Sequence, residues 1–159
     1  MVQTLKTFKP FKTELSAIVK IMADQLRLKM ITPSRLVVDE EVDEVAAPGA
    51  LGEFGVLPNH IAFLTLLEPG EMTYKQGATK HFLAVSGGYA EVLDNVMTVL
   101  APAAEFASEI DTGRARQAKD DAEKRIGELN YEDKDFNSTE AALRWANARL
   151  EVAGKEVRR

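Results

Sequence analysis

Hydrophobic and polar residues alternate in the first part of the chain. Leu26, Leu28 and Met30 alternate with Arg27 and Lys29, which is typical of a strand with one buried face. More strand-like segments follow, separated by groups of Gly, Pro, Asn or Asp about every eight to twelve residues. No helical period occurs across residues 26–104. This pattern predicts a small all-β sandwich or flattened barrel, and the sandwich, with about 8–10 strands, is the architecture adopted.

Several short segments are predicted to be turns between these strands. Residues 68–70 and 86–88, rich in Gly with Pro or Ser, should each end a strand. Asp94 and Asn95 should form a two-residue hairpin turn before the run 96–100. The densest group of turn residues is 49–60, which contains three glycines, a proline and a histidine and is interpreted as a loop.

The period changes to that of a helix after Ile110. Asp111 can accept hydrogen bonds from the free N–H groups of a helix start, so it is predicted to be the N-cap. One apolar stripe then follows, at Ala115, Ala118, Ala122, Ile126 and Leu129.

A second helix is predicted after the polar segment 131–137. Asn137 followed by Glu140 indicates its start. Its stripe consists of Thr139, Leu143, Ala146, Leu150 and Ala153. Two helices of similar length with a short connection should pack antiparallel. The fold class is therefore α+β: an N-terminal β-sandwich followed by a C-terminal antiparallel two-helix hairpin.

Small side chains dominate the predicted seam between the helices. Alanine buries little area, so the hairpin gains little free energy against its ordering entropy. Gly113 and Gly127 each cost up to about 1 kcal/mol relative to alanine. The hairpin should be marginally stable and able to detach.

Charge divides the chain into three segments: residues 1–21, 22–104 and 105–159. Residues 1–21 carry a net charge of +3 and are predicted to be an extension that is disordered or not native, with Met22 as the natural start; a basic amphipathic anchor is the other interpretation. Residues 22–104 form the sandwich domain and residues 105–159 the helical hairpin domain.

Composition excludes several function classes. The net charge of −5 argues against nucleic-acid binding. The chain has no cysteine, so disulfides, thiolate metal sites and a cysteine nucleophile are excluded. No apolar run approaches the roughly 18 residues of a membrane span. The acidic segment 39–44 lacks the spacing of a calcium loop and is interpreted as a solvated strand edge.

The sequence contains no recognisable catalytic constellation. His60 and His81 lie in different predicted elements, without the spacing of a metal pair. The segment 86–88 is not a nucleophile elbow, and no lysine follows the glycines of 49–55 as in a phosphate loop. The chain is predicted to be a non-enzyme, or a non-catalytic part of one, with no metal.

Several motifs in a fixed order resemble the epsilon subunit of bacterial F-type ATP synthases. They are residues 49–60, 67–70, 86–92 and 96–100, then Ala104-Glu105 and Ile110-Asp111-x-x-Arg114-Ala115. The resemblance covers about residues 23–152 and includes the order of sandwich and hairpin.

The resemblance implies a rotor subunit of the central stalk. The sandwich would bind the gamma subunit and the membrane ring of c subunits, coupling proton-driven rotation to ATP synthesis. The hairpin would move between a folded state and an extended one that contacts the alpha and beta subunits and inhibits ATP hydrolysis. The protein would lie at the cytoplasmic face of the bacterial inner membrane, as a peripheral part of the complex. The residues that this implies for contact with the ring and gamma are Gly52, Glu53, Phe54, Gly55 and His60.

Some members of that family bind regulatory ATP in the folded hairpin. The matching positions here are Glu105, Ile110, Asp111, Arg114 and Arg149. However, Asp121 and Trp145 stand where strong binders have arginine, and a carboxylate repels a triphosphate. The expectation is therefore weak or absent ATP binding, with no other cofactor.

An alternative from another class is a free-standing β-sandwich module that binds a small ligand and carries a helical interaction tail. An enzyme using His60 with an acidic partner is a third interpretation, but it lacks a second convergent group. The sequence leaves open the resting position of the hairpin and whether protons or sodium ions drive rotation.

Overall fold

The computed structural model of the protein describes residues 25–155. The predicted extension 1–21 and the proposed start at Met22 lie outside the described residues. The strands are β1 (Leu26–Ile31), β2 (Leu36–Val42), β3 (Glu44–Gly49), β4 (Gly52–Val56), β5 (Phe63–Gln76), β6 (Thr79–Leu93), β7 (Val96–Leu100) and β8 (Ala104–Phe106). A 3₁₀ turn (Ala107–Glu109) then leads into the helices α1 (Thr112–Glu128) and α2 (Phe136–Ala153). The α+β prediction is confirmed.

The strands follow the order β2-β1-β7-β6-β5-β3-β4, and β8 pairs with the first half of β6. Only β1 and β7 are parallel among the pairs in residues 25–155; the other pairs are antiparallel. The predicted turn at Asp94 and Asn95 is confirmed, since both have left-handed φ angles, 49° and 60°. This continuous pairing wraps around one apolar core.

Residues 68–70 and 86–88 do not end strands, so the turn predictions there were wrong. They lie inside β5 and β6, which stay in one register from Phe63–Val92 to Gln76–Thr79. The glycines instead bend the long hairpin: Gly87 and Gly88 have φ angles of 98° and 121°. Local turn residues cannot distinguish a turn from a bend in a paired strand.

The bend changes which side chains face the core. In the first half of β6, Leu83 and Val85 point into the sandwich, whereas Ala90 and Val92 do so in the second half. Buried side chains from all the sandwich strands form this core, including Leu26, Leu28, Met30, Val38, Val45, Val56, Met72, Leu83 and Met97. The predicted alternation in β1 is confirmed, because Leu26, Leu28 and Met30 are all fully buried.

Helix α2 lies between α1 and the outer face of the β5–β6 hairpin. There Phe82 and Ala84 meet Ile110 and Val152, with Trp145 packed against them. Consecutive residues 82–85 of β6 are therefore all buried, two in the sandwich and two under the helices. Trp145 is therefore a packing residue of this interface.

The helix starts were predicted with mixed success. Asp111 is the N-cap of α1, and its carboxylate accepts a hydrogen bond from the Arg114 N–H at 3.0 Å. Helix α2 begins at Phe136, and its N-cap is Asp135, two residues before the predicted Asn137, so that prediction was wrong. The Asp135 carbonyl accepts hydrogen bonds from both the Thr139 N–H and the Ser138 hydroxyl. The first helical hydrogen bond therefore starts at Asp135 and not at Asn137.

Alanine dominates the buried positions of α1, as the sequence indicates. Its only buried side chains are Ala115 and Ala122, and Ala118, predicted to lie in the seam, is exposed. Helix α1 packs mainly on one neighbour, α2. A small apolar contact fits a hairpin of marginal stability.

Candidate docking surfaces

The predicted glycine-rich loop is in part a β-hairpin. Gly49 ends β3 and pairs with Gly52 at the start of β4, so Ala50 and Leu51 form its tip. A side chain at Gly49 would lie 2.9 Å from the Gly52 carbonyl oxygen, and Gly52 has a φ of 118°. Both glycines are therefore needed to close the hairpin. Residues 52–56 were predicted to be part of a loop but form a strand. Glycine in a strand allows another backbone to approach closely, so the glycines here do not mark an irregular loop.

Glu53 and Gly55 of this hairpin are exposed, whereas Phe54 is half-buried. The ring of Phe54 meets that of Phe63 edge to face, with centroids 5.3 Å apart. Leu51, at the tip, is completely exposed. The structure thus presents Leu51 and Glu53 on a strand pair anchored by an aromatic contact.

His60 is held in the turn that follows β4. Its Nδ1 lies 2.9 Å from the Ile61 carbonyl oxygen, and its ring centroid is 5.1 Å from that of Phe63. Asn59 next to it has a left-handed φ of 65° and exchanges hydrogen bonds with Asn95 of the β6–β7 turn. His60 and Phe54 therefore share Phe63 as a support, a residue that the sequence interpretation did not single out.

An exposed apolar row crosses five strands on the sandwich face. Neighbouring strands place its members directly opposite one another, in the sequence Leu36, Ile31, Leu100, Tyr89 and Leu66. Each is 38% to 56% exposed. Four strand spacings of about 4.8 Å give the row a length of roughly 19 Å.

The row is more apolar than the row beside it on the same face. That second row lies two residues further along β1, β5, β6 and β7, and three residues further along β2 because the register shifts there; its members are Asp39, Lys29, Thr98, Glu91 and Leu64, of which only Leu64 is apolar. A cavity of about 440 Å³ flanks the apolar row and is lined by Pro33, Gly88, Ala101 and Pro102 together with row residues. A contiguous exposed apolar feature rimmed by polar side chains is typical of a protein interface.

Sequence reasoning missed this row. Its members look like ordinary strand residues, and only the register brings them side by side. The signal available in the sequence was that leucine or tyrosine occupies positions where the alternation requires a polar residue, such as Leu66 and Tyr89.

The candidate nucleotide residues are only partly brought together. Arg149 forms an ion pair with Glu105 at 2.9 Å, and Ile110 is buried beneath the helices. Arg114 is exposed and lies 3.5 Å from Asp111 of its own first turn. The arginines are thus engaged by carboxylates of the chain itself.

Capping lowers the pKa of Asp111 below its usual value, chiefly because its carboxylate accepts the Arg114 N–H. The pKa of Glu109 is lowered as well, mainly by its hydrogen bonds from Arg35, whose two guanidinium NH2 groups lie 2.6 Å from the two carboxylate oxygens. Glu109 also accepts the Phe106 N–H at 2.9 Å. The 3₁₀ turn before the helices is therefore clamped to the β1–β2 turn.

Within residues 25–155, no group of three or more His, Asp or Glu side chains could hold a metal ion. Neither α1 nor α2 is long and apolar enough to cross a membrane.

Comparison with known proteins decides the family. The β-sandwich domain of the ATP synthase delta/epsilon chain matches residues 25–107, and the long α-helix domain of the same chain matches residues 108–154. The chain belongs to the ATP synthase delta/epsilon chain family. The family resemblance seen in the sequence motifs is confirmed.

Bacterial members of this family align over most of the chain. An ATP synthase epsilon chain of Citrifermentans bemidjiense is 49% identical over 138 residues, covering 87% of this chain and 100% of the relative. The epsilon chain of Geotalea daltonii is 50% identical over the same share of each. A chain in the Euglena gracilis mitochondrial ATP synthase structure (OSCP, F1 and c-ring) superposes with a TM-score of 0.68 at 26% identity, covering 83% of this chain and 82% of that one.

Proposed function

We propose that the chain is a rotor subunit in the central stalk of a bacterial F-type ATP synthase. It couples proton-driven rotation to ATP synthesis and, through its helical hairpin, restrains ATP hydrolysis. The observation that carries this proposal is the apolar row on the face of a sandwich whose family is that of the epsilon chains. The free-standing ligand-binding module is not favoured, because the family consists of synthase chains.

The apolar row is the docking site proposed for the gamma subunit. Its polar neighbours Lys29 and Glu91 would form the rim of that interface, where charges fix register more than they add affinity. The row lies on the outer face of the second half of β6, whereas α2 covers the first half. The gamma subunit can therefore bind while the helices stay docked.

The tip of the β3–β4 hairpin is the contact proposed for the c-ring. Gly52 and Gly55 shape this hairpin, and the exposed Glu53 would face polar loops of the ring. The rings of Phe54 and His60 both contact Phe63 and so support the base of the hairpin. The hairpin tip is also close to the apolar row, since the Ala50 N–H donates to the Leu66 carbonyl at 3.0 Å. One continuous surface would serve both rotor partners.

The division into two domains, predicted as residues 22–104 and 105–159, belongs to the same proposal, with β8 (Ala104–Phe106) counted in the sandwich because it pairs with β6. The sandwich supplies docking, and the hairpin supplies regulation by leaving the sandwich to contact the alpha and beta subunits of the catalytic head. The chain itself performs no catalysis, and it lies at the cytoplasmic face of the inner membrane through its partners.

Removing the hairpin tests the regulatory part. Truncation after Ala107 leaves β8 paired with β6, so the sandwich keeps its core. ATP hydrolysis by the purified synthase carrying the truncated chain should rise several-fold, while the chain stays in the complex. An unchanged hydrolysis rate would contradict the regulatory role, and loss of the chain from the complex would show that the hairpin is needed for assembly.

A further inference from the structure

Ion pairs cross the interface between α2 and the sandwich, and in each of them the cation comes from the helix side and the carboxylate from the sandwich. Three cations in or just after α2 each pair with a carboxylate of the sandwich, although Arg144 and Lys155 also pair with Glu140 and Glu151 of α2 itself. The pairs are Arg144–Glu68 at 3.1 Å, Arg149–Glu105 at 2.9 Å and Lys155–Glu71. Such pairs add to the small apolar contact made by Ile110 and Val152.

The three pairs are not equivalent. Arg144 and Glu68 are both at least 40% exposed, and exposed pairs contribute little because water and salt screen them. The Arg149 side chain is only 14% exposed and that of Glu105 is 27% exposed. Charge-assisted hydrogen bonds in such partly enclosed places are the stronger ones.

Arg149 is held from a second side by an aromatic ring. Its guanidinium carbon lies 5.6 Å from the centroid of Trp145, one helical turn earlier. Trp145 also packs against the cluster of Phe82, Ala84 and Val152. The ring thus orients the guanidinium toward Glu105 and shields it from water.

The position of Glu105 makes this contact sensitive to movement of the hairpin. Glu105 lies in β8, which remains paired with β6, and the following 3₁₀ turn is fixed by Arg35 and Glu109. Any swing of the helices must therefore occur after Glu109, at Ile110 and Asp111. Such a swing moves Arg149 away from Glu105.

We propose that Glu105, Arg149 and Trp145 form a latch that holds the hairpin on the sandwich without any bound ligand. The Glu105 carboxylate and the Trp145 indole both contact the Arg149 guanidinium, so this group is not available to an anionic ligand. The latch rests on the movement that the proposed function assigns to the hairpin. Its test uses the full chain alone, so it can fail while the rotor assignment stands.

A buried thiol on β6 reports opening of this interface. The chain has no cysteine, so Ala84→Cys introduces one reactive group, fully buried beneath the helices. Ala90→Cys, on the same strand and equally buried, lies in the sandwich core and serves as the matched reporter of global unfolding. When closing is fast, the rate of labelling by a thiol reagent follows the population of the open state.

In the Ala84→Cys background, Arg149→Lys and Glu105→Gln should each raise the labelling rate about tenfold. Arg116→Lys, at an exposed position of α1, should not change it. Labelling of Ala90→Cys should be equal in all these variants. Millimolar Mg-ATP should leave the rate in the otherwise unchanged chain as it is.

Two results would overturn the latch. One is a labelling rate at position 84 that neither Arg149→Lys nor Glu105→Gln alters. The other is slower labelling with Mg-ATP, which would show that a ligand closes the interface. If Arg149→Lys also speeds labelling at position 90, the ratio of the labelling rates at positions 84 and 90 decides the question, and a ratio that Arg149→Lys leaves unchanged overturns the latch.

Discussion

Replacing Gly88 with alanine is expected to lower the free energy of unfolding of the sandwich by more than about 3 kcal/mol. A Cβ at this position would lie 2.1 Å from the Leu100 carbonyl oxygen and 3.0 Å from the Ala101 Cα. Both atoms belong to backbone, so no flexible side chain can give way. The φ of 121° adds strain for any residue with a side chain. Urea denaturation followed by circular dichroism measures the effect.

The control is the same substitution at Gly127 in α1. No atom lies within 4 Å of a Cβ there, and the residue is helical, so Gly127→Ala should stabilise the hairpin by up to about 1 kcal/mol. Opposite signs at the two glycines are the expected outcome. A Gly88→Ala protein with the urea midpoint of the unchanged chain would show that the bend of β5 and β6 is wrongly described.

Aspartate in the apolar row should strongly weaken docking to the gamma subunit. Leu66→Asp and Tyr89→Asp each place a charge where the proposed interface excludes water, and the loss of a buried anchor residue costs an interface about 2–4 kcal/mol. The affinity for purified gamma subunit should fall at least about thirtyfold for each variant. Isothermal titration calorimetry measures it.

The thermal stability of these variants should change little, because Leu66 and Tyr89 are 52% and 56% exposed. Glu91→Gln is the matched control, since Glu91 lies two residues from Tyr89 on the same strand and face. It should bind gamma nearly as the unchanged chain does. Equal affinities for all three variants would place the interface on another surface.

The sequence predicted those features that depend on local chemistry. The alternation of apolar and polar residues located β1, and the Asp94-Asn95 pair located the hairpin turn, where both residues are left-handed. Asp111 located the start of α1. Each depends on neighbours within a few residues, for which side-chain type and backbone preference are sufficient.

Features that depend on distant partners were not predictable in this way. Gly88 looks like a turn residue, but its role is set by Leu100, which the sheet brings against it. The apolar row exists only because five strands share one register. Likewise, Trp145 and Arg149 could be seen as neighbours on a helix, but the meeting with Glu105 required the fold.

Hydroxyl-radical footprinting of the chain, alone and in complex with the gamma subunit, tests the central claim most directly. Two of its three tyrosines are exposed: Tyr89 in the apolar row, at 56%, and Tyr131 beyond α1, at 82%. Oxidation of Tyr89 should fall at least about fivefold in the complex, since an interface core excludes water, while Tyr131 keeps its reactivity. Undiminished oxidation of Tyr89 in a complex that forms would contradict docking through the apolar row.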